Sequence, residues 1–122
     1  MYSKNNVILD KSFLFAVRII KLFQFLSDKK EYVLSRQILR SGTSIGANVE
    51  EAHGGISNSD FSNKISIAYK EARETHYWLR LLFTTNYINK KIFDSMLNDC
   101  EELCKILYSI LNTSRIKKAK KV

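Results

Sequence analysis

The side chains best suited to chemistry in this chain are few: two cysteines, Cys100 and Cys104, and two histidines, His53 and His76. Cysteines four apart on a helix share a face, but their Cβ vectors are poorly aimed for a disulfide. A pair of reduced core thiols is the expected state. A tetrahedral metal site needs two more ligands, and neither histidine stands at ligand spacing to the cysteines. Each histidine follows a glutamate by two residues, in Glu51-Ala-His53 and Glu74-Thr-His76. That spacing sends the two side chains to different helix faces, whereas a di-iron bundle uses Glu-x-x-His. Gly54-Gly55 lacks the Lys-Ser/Thr that completes a phosphate loop. No Arg stands four to six residues before either histidine, and Arg73 is only three before His76. No nucleophile is paired with a histidine along the sequence. These residues predict a protein that is not an enzyme, with no catalytic residues, no metal and no cofactor.

Charge is the stronger signal. The 122 residues carry a formal net charge of +8, distributed unevenly. Residues 1–40 hold a net +5, residues 41–114 a net −2 and residues 115–122 a net +5. The candidate phosphate-binding residues are therefore Arg18, Lys21, Lys29, Lys30, Arg36 and Arg40, with Arg115, Lys117, Lys118, Lys120 and Lys121 in the tail. Arg36 and Arg40 are one helical turn apart on one face. No base-reading motif and no aromatic–basic RNA module is visible, so sequence specificity is expected to be weak.

These cations must be carried by helices. The chain is 45% hydrophobic and contains no Pro, which suits long helices and not a loop-rich sandwich or barrel. Apolar spacing predicts helices over about 8–28, 31–53, 59–85 and 90–112. Ser57-Asn58-Ser59-Asp60 offers several N-caps for the third helix, with Ser57 and Asp60 at capping-box-like spacing, and Asn89 is an expected cap for the fourth. Gly54-Gly55 is expected to end the second helix in a left-handed turn. The expected architecture is all-α: an antiparallel, up-down-up-down four-helix bundle over residues 1–114, with a basic, disordered tail over 115–122. The first helix has an apolar surface wider than one core requires, through Ile8, Phe15, Ile19, Leu22 and Leu26 on one row and Phe13 and Ile20 on another. A neighbouring subunit is the natural second surface. All four glycines fall between Gly42 and Gly55. Gly42 and Gly46 inside a helix each cost ~1 kcal/mol against Ala, so a close helix–helix contact should compensate. A row of Gln37, Ser41, Ser44, Asn48 and Glu51 lies beside them on one face. No apolar run approaches the ~20 residues of a membrane span and no secretory signal pattern is present. The expectation is a cytoplasmic protein without membrane contact.

The stretch Arg40-Ser-Gly-Thr-Ser-Ile-Gly-Ala-Asn-Val-Glu-Glu-Ala52 resembles the signature of small bacterial four-helix bundle proteins, the S23 or 23S-rRNA intervening-sequence protein family. Arg40, Ser44, Ile45, Ala47, Asn48 and Glu51 match its first block. Phe61, Ile65, Ala68, Glu74 and Leu79 match its second. Gly46 stands where many members have Pro and Ala52 where many have Gly. The resemblance covers about Phe13 to Leu111 and implies a bundle assembling as a ring-like homopentamer. Arg40, Ser44, Asn48, Glu51 and Glu74 are then read as structural residues that set helix register, with Arg40 as an ion-pair partner for the motif carboxylates.

Two functions follow from different classes. In the first, a non-catalytic oligomer binds nucleic acid, RNA or an RNA–protein complex, through its basic surface and tail. In the second, the bundle is a protein-interaction scaffold, for example an accessory subunit of a reverse transcriptase as in the related diversity-generating retroelements. Tyr77, Trp78 and Tyr87 are then candidate anchors, with core packing favoured for Trp78.

Overall fold

The computed structural model describes the backbone of residues 4–120 and the side chains of residues 6–113. Four helices follow in order: α1 (Lys4–Asp28), α2 (Leu34–His53), α3 (Asn58–Thr84) and α4 (Lys90–Lys120). Each packs on its neighbours in sequence and α4 closes back on α1, while the backbones of the diagonal pairs do not approach closely among the described residues. The result is the expected all-α, up-down-up-down bundle. The α1–α4 seam is the sparsest of the four. No described helix is long and apolar enough to cross a membrane.

The predicted apolar rows form the core. Ile8, Phe15, Ile19, Leu22 and Leu26 of α1 meet Ile38, Ile45 and Val49 of α2. Ile65, Ala68, Ala72 and Leu79 of α3 and Met96, Cys100, Leu103 and Leu107 of α4 complete it. The glycines of α2 face α1. A Cβ on Gly42 would lie 2.6 Å from Cγ1 of Ile19, and one on Gly46 would lie 3.2 Å from the Ser12 backbone oxygen. The propensity cost of both glycines is therefore offset by close α1–α2 packing. From the polar row beside them, Ser41 and Glu51 reach α3. The buried Ser41 hydroxyl donates to the Thr75 hydroxyl across that seam at 2.9 Å, and Thr75 donates its own proton to the Glu71 carbonyl at 2.8 Å.

Helix ends differ from the periodicity in identifiable ways. α2 starts at Leu34, three residues later than expected, because Glu31 caps it. The Glu31 carboxylate accepts the backbone N–H groups of Val33 (3.2 Å), Leu34 (2.9 Å) and Ser35 (2.6 Å), three donors that a helix start otherwise leaves unpaired. α1 ends in a Schellman motif: Glu31 N–H bonds Leu26 O and Lys30 N–H bonds Ser27 O, both at 2.9 Å. The motif puts Lys30 in the left-handed region, φ 65°, where Gly is the usual occupant. α3 ends the same way around Asn86, φ 68°.

Gly54 does not take the expected left-handed conformation; it ends α2 with φ −89°. The constraint falls on Gly55, where a Cβ would lie 3.1 Å from Ala52 O. Of the candidates at 57–60 it is Ser57 that caps α3, accepting Asp60 N–H at 3.1 Å, and Asn89 caps α4 as expected, accepting Ile92 N–H at 2.8 Å. The expected break near Asn112 is absent. α4 runs on to Lys120, so residues 115–120 are helical and not a disordered tail. Arg115 to Lys120 contains no Gly or Pro, and Ala and Lys are good helix formers. Lys121 lies outside the described residues.

Candidate nucleic-acid interface

The cations divide into those that hold the bundle together and those that face solvent. Arg18 projects from α1 across the α1–α4 seam. Its guanidinium reaches Asp99 at 2.5 Å and the Ser95 hydroxyl at 2.8 Å. Lys11, two turns earlier, pairs with Glu102 at 2.6 Å, which raises its pKa through that hydrogen bond and charge. Arg40 projects from α2 toward α3, where it meets Glu71 at 3.2 Å and also pairs with Glu74. The same Glu74 oxygen accepts the Trp78 indole N–H at 3.0 Å. Arg18 and Arg40 are thus already engaged by carboxylates, and the structure separates them from the other candidate ligands.

Lys21, Lys29, Lys30 and Arg36 are exposed, and none has a carboxylate partner among the described residues. Lys21 stands in the last two turns of α1, Lys29 and Lys30 form its C-terminal turn, and Arg36 lies in the first turn of α2. The Lys29 ammonium rests 4.5 Å from the centroid of the Phe25 ring, a cation–π contact that holds it near the helix end. The up-down topology brings a second turn to the same end of the bundle, that between α3 and α4. It contributes Lys90 and Lys91, with Lys90 paired to Asp94 at 2.7 Å. Sequence reasoning missed these two, although the alternation of helix direction was sufficient to place both turns together.

The tail cations are elsewhere. The Cys100 thiol bonds the Ala72 carbonyl at 3.3 Å, which fixes the antiparallel α3–α4 register. Residues 115–120 then continue past the start of α3, at the end of the bundle opposite Lys29 and Lys30. At ~1.5 Å per residue, α4 separates the two basic regions by roughly 35 Å. The side chains of Arg115, Lys117, Lys118 and Lys120, and all of Lys121, lie outside the described residues.

The remaining motif residues have local roles. The Asn48 amide donates to the Ser44 carbonyl one turn back at 2.8 Å, so Asn48 bonds within α2 and not across the seam. Glu51 is exposed and pairs with Lys64 of α3 at 3.6 Å. The α2–α3 seam is therefore tied at two levels, by Glu51–Lys64 near one end and by the adjacent Ser41–Thr75 and Arg40–Glu74 contacts about three turns away.

Among the described residues, no three His, Cys, Asp or Glu side chains group as a metal site would require. His76 is held below the usual imidazole pKa by burial and by the Arg80 charge. Cys100 and Cys104 are free thiols. Their mutual contact raises the Cys100 pKa, with burial adding to it, and lowers that of the more exposed Cys104.

One further surface is distinctive. The face of α1 opposite the core carries Phe13, Leu14, Val17 and Ile20, with Phe13 63% and Leu14 62% exposed. The wide apolar surface expected from the sequence is thus divided between a buried row and an uncovered one. A shallow groove between this strip and α2 is lined by Leu9, Asp10, Phe13, Leu14 and Glu50.

Comparison with known proteins agrees with this architecture. No curated protein matches the chain. A crystal structure from Bacteroides thetaiotaomicron, described as a protein of unknown function from the S23 ribosomal protein family, is 54% identical over 90% of this chain and 99% of its own, with a TM-score of 0.88. The family model of the 23S rRNA-intervening sequence protein matches residues 4–109, which hold α1 to α3, most of α4 and both blocks of the signature, and the chain therefore belongs to that family.

Proposed function

We propose that this protein is a non-catalytic, oligomeric bundle that binds RNA through the basic end formed by the α1–α2 and α3–α4 turns. One observation carries the reading. Arg18 and Arg40 are paired with carboxylates across helix seams, whereas Lys21, Lys29, Lys30 and Arg36 stand exposed, without carboxylate partners among the described residues, at one end. Charges spent on fold stability would be paired in the same way as Arg18. Lys30 adds a second point: it holds a left-handed backbone at a cost of ~1–2 kcal/mol that Gly would avoid. The unpaired cations attract phosphates without reading bases. Assembly multiplies the effect, since each further copy adds its own net +8 and concentrates strands around the complex. The apolar strip of α1 supports that assembly, and the family likeness supports a pentamer.

Fluorescence anisotropy with a labelled single-stranded RNA tests this reading. The K29E/K30E/R36E variant should bind at least about tenfold more weakly, and its log Kd against log salt should flatten by about 2, at ~0.7 per lost phosphate contact. Deleting residues 115–122 should flatten it further. Unchanged affinity and slope in the triple variant would refute the proposal. The uncovered α1 strip also favours a second reading, a protein-interaction scaffold in which a partner such as a reverse transcriptase covers α1. Wild-type protein that binds no RNA at low salt would favour it.

A further inference from the structure

We infer that the basic end takes up unpaired nucleotides, and does so by stacking a base on Tyr32. The inference rests on the RNA-binding reading above and specifies its substrate class. Most aromatic side chains here already have partners. Phe83 stacks on Phe93, Tyr77 packs on Trp78, Tyr69 on Tyr108 and His53 on Phe61. Phe25 is covered by Lys29. Tyr32 is different: it is 49% exposed and makes no ring or cation contact among the described residues. It stands in the short connector between α1 and α2, next but one to Lys30 and one turn before Arg36. The connector is firmly held. The Schellman motif anchors it on one side, and the Glu31 carboxylate fixes the backbone of Val33, Leu34 and Ser35 on the other.

An open aromatic ring on a firmly held backbone, flanked by unpaired cations, is the arrangement that single-strand binders use. The cations hold the phosphates and the ring supplies a sequence-tolerant stacking surface. A duplex hides its base faces, so this surface offers it only charge. The same chemistry accepts single-stranded DNA, because nothing at Tyr32 reads the 2′-hydroxyl.

Anisotropy titrations of full-length protein with a labelled 12-nucleotide RNA, the DNA of the same sequence and the RNA duplex test this directly. Y32A should weaken binding to both single strands roughly fivefold to a hundredfold and leave duplex binding unchanged, while Y32F retains affinity. Helical circular dichroism melts should be alike in all three proteins, since the ring is half exposed. Unchanged single-strand affinity in Y32A, with K29E/K30E/R36E still defective, would overturn stacking and leave the basic end standing. Equal losses in Y32A and Y32F would assign the effect to the hydroxyl and also overturn it. Wild-type protein that binds none of the three probes would instead overturn the RNA-binding reading itself.

Discussion

Substituting Gly42 by Ala sets two effects of opposite sign against each other. Helix propensity favours Ala by ~1 kcal/mol. Packing opposes it, because the new methyl would lie 2.6 Å from Cγ1 of Ile19 and 2.8 Å from both Cδ1 and Cγ2. Ile19 is fully buried in the core, and a β-branched side chain has few rotamers to retreat into. Overpacking of this kind costs ~1–3 kcal/mol, so the net result should be a loss of about 1 kcal/mol, or about 4 °C in Tm for a domain of this size. The sign should reverse once Ile19 is removed. In an I19A background, itself ~2–5 kcal/mol less stable, the same G42A change meets an empty space and gains both propensity and ~0.8 kcal/mol for a buried methyl. Urea denaturation of the four proteins at one protomer concentration gives the coupling energy, expected to be ~2–3 kcal/mol. A G42A protein more stable than wild type would refute the argument that α2 carries glycine to admit α1.

Three further outcomes follow from the same geometry. Glu31→Ala removes a carboxylate that accepts three backbone N–H groups and should destabilise by ~2 kcal/mol in chemical denaturation, with Glu31→Gln losing less. Iodoacetamide at pH 8 should modify Cys104 and spare Cys100 by peptide mass mapping, since the contact between them lowers the first thiol's pKa and raises that of the buried second. Phe13→Lys with Val17→Lys should leave helicity intact but reduce the light-scattering mass from a multiple of the 14.2 kDa chain to a single copy; an unchanged mass would remove α1 from the interface.

Local signals carried much of the fold. The rows through Ile19 and Ile45 and the caps at Ser57 and Asn89 depend on spacing within one helix, and the structure reproduces them. That Arg40 pairs with a motif carboxylate was readable, but which one, Glu74, was not. The partner of Arg18 was not readable either, since Asp99 is 81 residues away and only the α1–α4 register brings it near. Glu31 looks like a first helical residue, and its role as a cap becomes visible only when its carboxylate is seen to fold over the three N–H groups. The basic end was half visible. Lys29 and Lys30 stand out in the sequence, but Lys90 and Lys91 join them only through the alternating direction of the helices. The tail that charge would group with them lies at the other end.

The most direct test is ultraviolet crosslinking of the intact protein to a single-stranded RNA, followed by mass spectrometry of the adducts. The account predicts adducts concentrated in the peptides of residues 21–36, with Tyr32 as a principal site, and their loss in K29E/K30E/R36E. Adducts confined to other faces of the bundle, or none at low salt, would contradict it.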